Sequence, residues 1–319
     1  MRTLLERSIA GAMDAAMCAM MNRIQWNLRH HACTAAELDA YLSACEPIVR
    51  EAFYAAPPAS VTSDHSRILH WESPVSSGFA ENDVARMRWF IGPKGPQAPT
   101  AIVLHALMSA SDIGYRRLAT WFHSRGWNML FPHLPFHYSR VPRGYRNGAL
   151  AISANLPRNA ETLRQGVVEL RQAMAFLRAN GCSEFGLMGT SYGGWTASLL
   201  SFVEPEFRFI ALIQPIVDIE HAIWDNPVAV SIRRILAMQG IERGASLRHS
   251  HLSSPMHGRP HAPADRILIV GGVYDTVTPS AGLRSLSDVW TGSRFIEVRQ
   301  GHFGHAALRE VKRRLEPML

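Results

Sequence analysis

The stretch that most constrains this chain is EFGLMGTSYGGWTASLL, residues 184 to 200. A short apolar run, Phe185 to Met188, enters Gly189-Thr190-Ser191-Tyr192-Gly193-Gly194, and an Ala/Leu-rich helical pattern follows at once. Strand, sharp turn and helix in direct succession force the residue at the centre of the turn into a strained backbone geometry. Its neighbours two positions either side must then be small, and here they are Gly189 and Gly193. Such a turn lifts the Ser191 hydroxyl clear of a sheet. The helix behind it brings unpaired N–H groups and the positive end of its dipole beneath the oxygen. A glycine-rich packing turn with an ordinary serine would match the bare pattern G-x-S-x-G, but the flanking strand and helix favour an activated serine.

The rest of the chain is consistent with one α/β domain carrying additions. At 319 residues, 47% hydrophobic and 18% charged, it has enough apolar content for a full-sized core. No run approaches the ~18 apolar residues of a membrane span. In SIAGAMDAAMCAMM near the start, Glu6 precedes and Asp14 interrupts the apolar pattern, which favours a cytoplasmic amphipathic helix over a signal peptide. Cys18, Cys33, Cys45 and Cys182 show neither metal spacing nor the density of a disulfide framework, so free thiols in a reducing compartment are expected. The net charge of +7 is almost all arginine, with Lys94 and Lys312 the only lysines. Without a dense basic block or interleaved aromatics it does not indicate nucleic acid, although it leaves room for an anionic substrate.

Residues 1 to about 60 read as a helical extension with a break near His30 and His31, and Thr34-Ala35-Ala36-Glu37 is a capping-box pattern opening a second helix. Its Met13, Met17, Met20 and Met21 are expected as core filling. The pattern leaves open a dimer contact or a lid over a site. Residues 61 to 319 then alternate strand and helix: strands at 67–71, 84–91, 100–104, 127–131, 185–188, 209–213, 267–270 and 294–298, with helices at 115–125, 160–179, 280–289 and 306–315. Alternation of this kind builds a mostly parallel sheet with helices on both faces, and the ligand site lies beyond the carboxyl ends of the strands. An insertion at about 219–265 interrupts it, first helical, then a His- and Pro-rich stretch read as a surface loop.

The segments HALMSASDIGYRRLA, PHLPFHYSRVPRG and GTSYGGW, taken with this order of elements, resemble the α/β-hydrolase superfamily over about residues 65 to 319. Within it they are similar to bacterial relatives of the abhydrolase domain-containing 18 group. The resemblance implies an α/β-hydrolase fold with a cap insertion, and a chain order of nucleophile, acid, then base. Ser191 is the nucleophile. Asp275, in the loop after Ile267 to Val270, is the implied acid, with Asp218 in reserve. His302, just past the last strand, is the implied base, with His305 as competitor. The N–H groups of Tyr192 and Leu107 would form the oxyanion hole, with Met108 close behind. Relatives usually carry His-Gly where this chain has His105-Ala106, and glycine there permits an unusual backbone angle.

Beside these, Met108, Arg140, Arg143 and Trp224 are candidates for contacting substrate. The three arginines Arg140, Arg143 and Arg146 suit a carboxylate or phosphate clamp, or structural ion pairs. His133 and His137 have the spacing of helix-borne metal ligands, but Pro135 breaks such a helix, and no metal is expected. The expected function is hydrolysis of a carboxylic ester of a small acyl substrate through an acyl-enzyme, with no cofactor. A lipid acyl hydrolase, an amidase or peptidase, a thioesterase and an acyltransferase share the same machinery, and a non-catalytic or membrane-surface binding protein would share the fold.

Overall fold

The computed structural model describes residues 2–109 and 111–319. Helices α1 (Arg2–Asn27), α2 (Ala35–Cys45) and the single turn α3 (Arg50–Phe53) come first, followed by strands β1 (Thr62–Ser63), β2 (Ile68–Glu72) and β3 (Val84–Phe90). From β4 (Thr100–Leu104) onward the chain alternates: α4 (Ile113–His123), β5 (Asn128–His133), α5 (Leu156–Ala179), β6 (Phe185–Thr190), α6 (Tyr192–Ser201) and β7 (Phe207–Ile213). An insertion holding α7 (Val230–Met238) and α8 (Ser250–Ser253) precedes β8 (Ile267–Gly272), α9 (Ser280–Val289), β9 (Arg294–Val298) and α10 (Ala306–Leu315).

The strands form one nine-stranded sheet in the order β1-β2-β3-β5-β4-β6-β7-β8-β9. β3 runs antiparallel to β5, and every pair from β5 across to β9 is parallel. Alternate side chains of each strand feed opposite layers, as the two-residue period requires. In β4, Ile102 and Leu104 join the layer beneath α5, α6 and α9, while Ala101 and Val103 join the layer beneath α4 and α10. Burial on both faces is why β4 and β8 read as continuous apolar runs rather than alternating ones.

The start of α5 and the methionine stripe of α1 differ from the sequence pattern. α5 begins at Leu156, four residues before the expected start, because the Asn155 side chain accepts the Arg158 N–H and Pro157 is welcome in a first turn. The methionine stripe of α1 is split: Met13 and Met20 are 46% and 39% exposed, whereas Met21 is buried. The capping box forms as expected, Glu37 N–H donating to Thr34 Oγ1 at 3.2 Å and Thr34 N–H to Glu37 Oε2 at 2.8 Å.

The first helices and the insertion share a third apolar cluster, with Leu38 and Leu42 of α2 against Ile232, Ile235 and Leu236 of α7. Polar clasps reinforce it. Asn22 of α1 donates to Pro227 O at 2.8 Å and accepts from Ser231 N at 2.7 Å, and Gln25 donates to Ile152 O at 2.7 Å. Arg248 reaches Asp39 and Glu46, both at 2.6 Å. α1 and α2 are thus clamped onto the insertion beside the carboxyl ends of the central strands.

Candidate active site

Ser191 sits between β6 and α6 with φ 52° and ψ −115°, a conformation that costs a non-glycine residue about 1–3 kcal/mol. The surroundings hold it there: its N–H donates to Ile213 O at 2.8 Å and its carbonyl accepts from Trp195 N at 3.0 Å. A Cβ on Gly189 would run into Gly193 O, and one on Gly193 into the carbonyls of Leu104 and His105. The two glycines are therefore required by close approach of backbone.

The loops after β8 and β9 bring Asp275 and His302 to this serine. His302 Nε2 lies 2.9 Å from Ser191 Oγ, and His302 Nδ1 lies 2.9 Å from Asp275 Oδ2. With Nδ1–H donating to the carboxylate, Nε2 presents its lone pair to the serine hydroxyl. Asp275 also accepts from the N–H groups of Val277 and Thr278, both at 2.8 Å, from Thr278 Oγ1 at 2.8 Å and from Gln214 Nε2. Burial works to raise the Asp275 pKa, but the His302 ring and the Thr278 hydrogen bonds outweigh it and hold the carboxyl below its ordinary range. The carboxylate stays charged where it is needed. Asp218 and His305 stand apart: Asp218 is exposed and accepts from His221 N–H at 3.0 Å, and His305 is exposed at the start of α10.

A residue that sequence reasoning passed over lies directly behind the pair. Asp14 of α1 is 1% exposed and accepts from His302 N–H at 3.0 Å and from Thr276 N–H and Oγ1, each at 3.1 Å. One carboxylate thereby ties the acid loop to the base loop. The apolar pattern of α1 contained the only available signal, a single acid in the middle of SIAGAMDAAMCAMM. Gln214 and Gln300 form a second support, Gln300 Nε2 donating to Gln214 Oε1 at 2.6 Å and Gln214 Nε2 to Gly301 O at 3.0 Å.

Opposite the serine, the loop after β4 is braced by two buried histidines. His105 Nδ1–H donates to Ala106 O at 2.9 Å while Nε2 accepts from Leu134 N at 3.2 Å. His137 Nδ1–H donates to Pro135 O at 2.8 Å while Nε2 accepts from Met108 N at 3.3 Å. Each ring uses one nitrogen as donor and the other as acceptor, so each must be neutral. Burial enforces this, pushing His105 well below its ordinary pKa and His137 down to about 4. The unusual backbone angle falls on Met108, φ 57°, and not on Ala106, so alanine is tolerated where relatives carry glycine. The Met108 N–H is already engaged, and the Leu107 N–H is a free donor of the loop. Among the described residues neither the Leu107 nor the Tyr192 N–H has an acceptor.

A cavity of about 160 Å³ opens at Ser191 and His302, lined also by Leu107 and Met108. Met17, Cys18 and Met21 of α1 form part of its wall, with Leu38 and Leu42 of α2 and Ile223 and Ile232 of the insertion. His249 lines it too and is buried, so this part of the His-rich stretch is not the surface loop expected. The remaining substrate candidates lie elsewhere. Arg140 is 1% exposed and forms a bidentate pair with Glu169 of α5 at 2.6 and 2.8 Å, a buried strut rather than an anion clamp. Arg143 and Arg146 line a separate groove with His30 and Tyr145. Trp224 packs in the third apolar cluster and does not reach the cavity, which its neighbour Ile223 lines instead.

Compared by sequence, no protein family and no curated protein matches the chain. Compared by structure, it is similar to acetyl xylan esterase 1 from Thermoanaerobacterium sp., with 14% identity, a TM-score of 0.57, and 90% of this chain and 96% of that chain covered. It is likewise similar to an acetyl xylan esterase from Paenibacillus sp. R4, with 15% identity, a TM-score of 0.60 and the same coverage of 90% and 96%. Likeness at such identities speaks for architecture and not for chemistry, and on that ground the chain has the α/β-hydrolase fold.

Proposed function

We propose that the protein hydrolyses a carboxylic ester through an acyl-enzyme on Ser191. The observation that carries this reading is the unbroken chain Ser191–His302–Asp275, with 2.9 Å at both links and the histidine in the tautomer that leaves a base facing the hydroxyl. Ser191 Oγ attacks the ester carbonyl as His302 Nε2 takes its proton. The carbonyl oxygen becomes an oxyanion, received by the free N–H groups of Tyr192 and Leu107. Collapse of the tetrahedral intermediate breaks the bond to the leaving alcohol, which takes the proton from His302. Water then repeats the sequence on the acyl-enzyme, releasing the acid and restoring Ser191. Asp275 keeps the ring oriented and offsets the positive charge it acquires. The insertion at 219–265 acts as a cap over this centre, its Ile223 and Ile232 lining the cavity at Ser191.

Intact-protein mass spectrometry after treatment with a fluorophosphonate tests the proposal. One adduct is expected on the wild type and none on Ser191→Ala or His302→Ala; an unmodified wild type would sink the enzyme reading. A second expectation concerns α1. Asp14→Ala strands the N–H groups of His302 and Thr276, so kcat should fall about 100-fold, the scale for a misplaced catalytic group. Stability should drop by about 2 kcal/mol. Steady-state kinetics and urea unfolding read the two effects, and a wild-type kcat would mean that the loops hold their positions without the helix.

A further inference from the structure

We infer that the acyl group this site accepts is an uncharged, unfunctionalised hydrocarbon chain of about six to eight carbons. The inference rests on the esterase reading and names its substrate class. Among the described residues, no Asp, Glu, Lys or Arg lines the cavity that opens at Ser191. The polar side chains that do line it are turned into the wall. Tyr41 donates to Glu161 at 2.8 Å, Asn159 Nδ2 to Ser153 O at 2.8 Å, and Ser253 to His249 O at 3.1 Å. Asn226 is engaged with Val277 O and Val228 N, and Ser246 with Glu220. His249, pushed by burial down to about 4, is an uncharged ring packed against Tyr41 and Phe53, with Nδ1 at 3.0 Å from Ser253 Oγ and Nε2 the one ring nitrogen without a partner among the described residues of this wall. An acyl group bearing a carboxylate or an ammonium would enter without a charged partner, and one bearing several hydroxyls would find only the His249 Nε2 beyond the reacting centre, so desolvation would oppose each. A hydrocarbon chain loses nothing there.

Size sets the length. An apolar cavity of about 150 Å³ holds a six-carbon ring, and this one measures about 160 Å³. Met17 and Met21 in its wall are unbranched and adapt to a flexible guest. Burial of each methylene should raise kcat/KM about fourfold until the cavity is filled.

The test is a series of p-nitrophenyl esters from acetate to dodecanoate, with the monoester of a dicarboxylic acid of equal length as the charged comparison, alongside fluorophosphonate labelling of the same sample. kcat/KM is expected to climb about 250-fold from acetate to hexanoate, to level by about octanoate, and to collapse at least 100-fold for the charged chain. Ile223→Trp, which fills part of the cavity from the insertion, should lower the hexanoate-to-acetate ratio at least 10-fold. A flat or falling profile on protein whose serine still labels would overturn the acyl assignment and leave the esterase reading standing. Absence of labelling would overturn both. The wild-type profile decides the question even if the tryptophan variant does not fold.

Discussion

Alanine in place of Ser191, or of His302, is expected to lower kcat for a medium-chain p-nitrophenyl ester by about 10⁶, and Asp275→Ala by about 3 × 10⁴. On the proposed mechanism the sizes follow from what each group does. Without Ser191 there is no oxygen to attack, and without His302 nothing 2.9 Å away takes its proton. Without Asp275 the base survives but loses the partner at 2.9 Å that orients it. Because the three act as one device, the double variant Ser191→Ala/His302→Ala should be no slower than either single one. Alanine at 191 keeps the same strained backbone, φ 52°, so the loss reports chemistry and not refolding of the turn. KM should move little, since the cavity wall is untouched. If Ser191→Ala retained activity within tenfold of wild type, the nucleophile would lie elsewhere.

Three histidines that the fold holds neutral, His133, His137 and His249, are expected together to cost about 5 kcal/mol of stability between pH 7.5 and pH 5, and the buried His105 adds to the fall. Burial pushes His133, His137 and His249 each down to about 4. For His133 the positive charges of Arg88 and Arg140 add to the effect, and for His249 its neighbour His251 does. The sign is fixed by which state binds the proton. Above the unfolded value of about 6.5 both states are neutral, and nothing is lost. Between about 6.5 and 4 the unfolded chain takes up protons that the folded one refuses, so stability declines as pH falls; below 4 the decline from these groups ends. At pH 5 the fully buried His137 and His249 contribute a loss of about 2 kcal/mol each, and the part-exposed His133 somewhat less. Thermal melts should show the midpoint dropping by about 10 °C or more over this range. A midpoint independent of pH would mean that the rings admit protons in the folded state. His137 links the effect to the site, because a protonated Nε2 has no lone pair for the Met108 N–H in the loop after β4.

The parts of this architecture that local chemistry dictates could be read from the chain. Glycines flanking Ser191 announce the turn because only hydrogen fits where Gly193 O and Leu104 O approach. Asp275 follows the apolar run of β8 and His302 the last strand of the alternating series, β9 at the sheet edge, so their position at the carboxyl ends is a matter of counting. What could not be read depends on residues far apart. Nothing near Arg140 shows that Glu169, on the far side of a loop and more than three turns into α5, will neutralise it in the buried core. The role of His249 required knowing that the insertion folds inward over α2. Asp14 looked like a flaw in an apolar helix, and only docking against loops 262 and 288 positions away reveals three donors waiting for it.

That last separation bears on how the molecule comes into being. Contacts spanning nearly the whole chain carry the largest loop-closure cost and form after the local ones. The elbow, its strand and its helix span few residues and can assemble early. The brace between α1 and the loops of Thr276 and His302 must wait for the last crossover of the sheet. A half-folded chain would therefore hold its serine already bent into shape while its base still wandered. Hydrolysis would switch on only when the ends of the polypeptide meet, which makes turnover a sensitive reporter of the final step of folding.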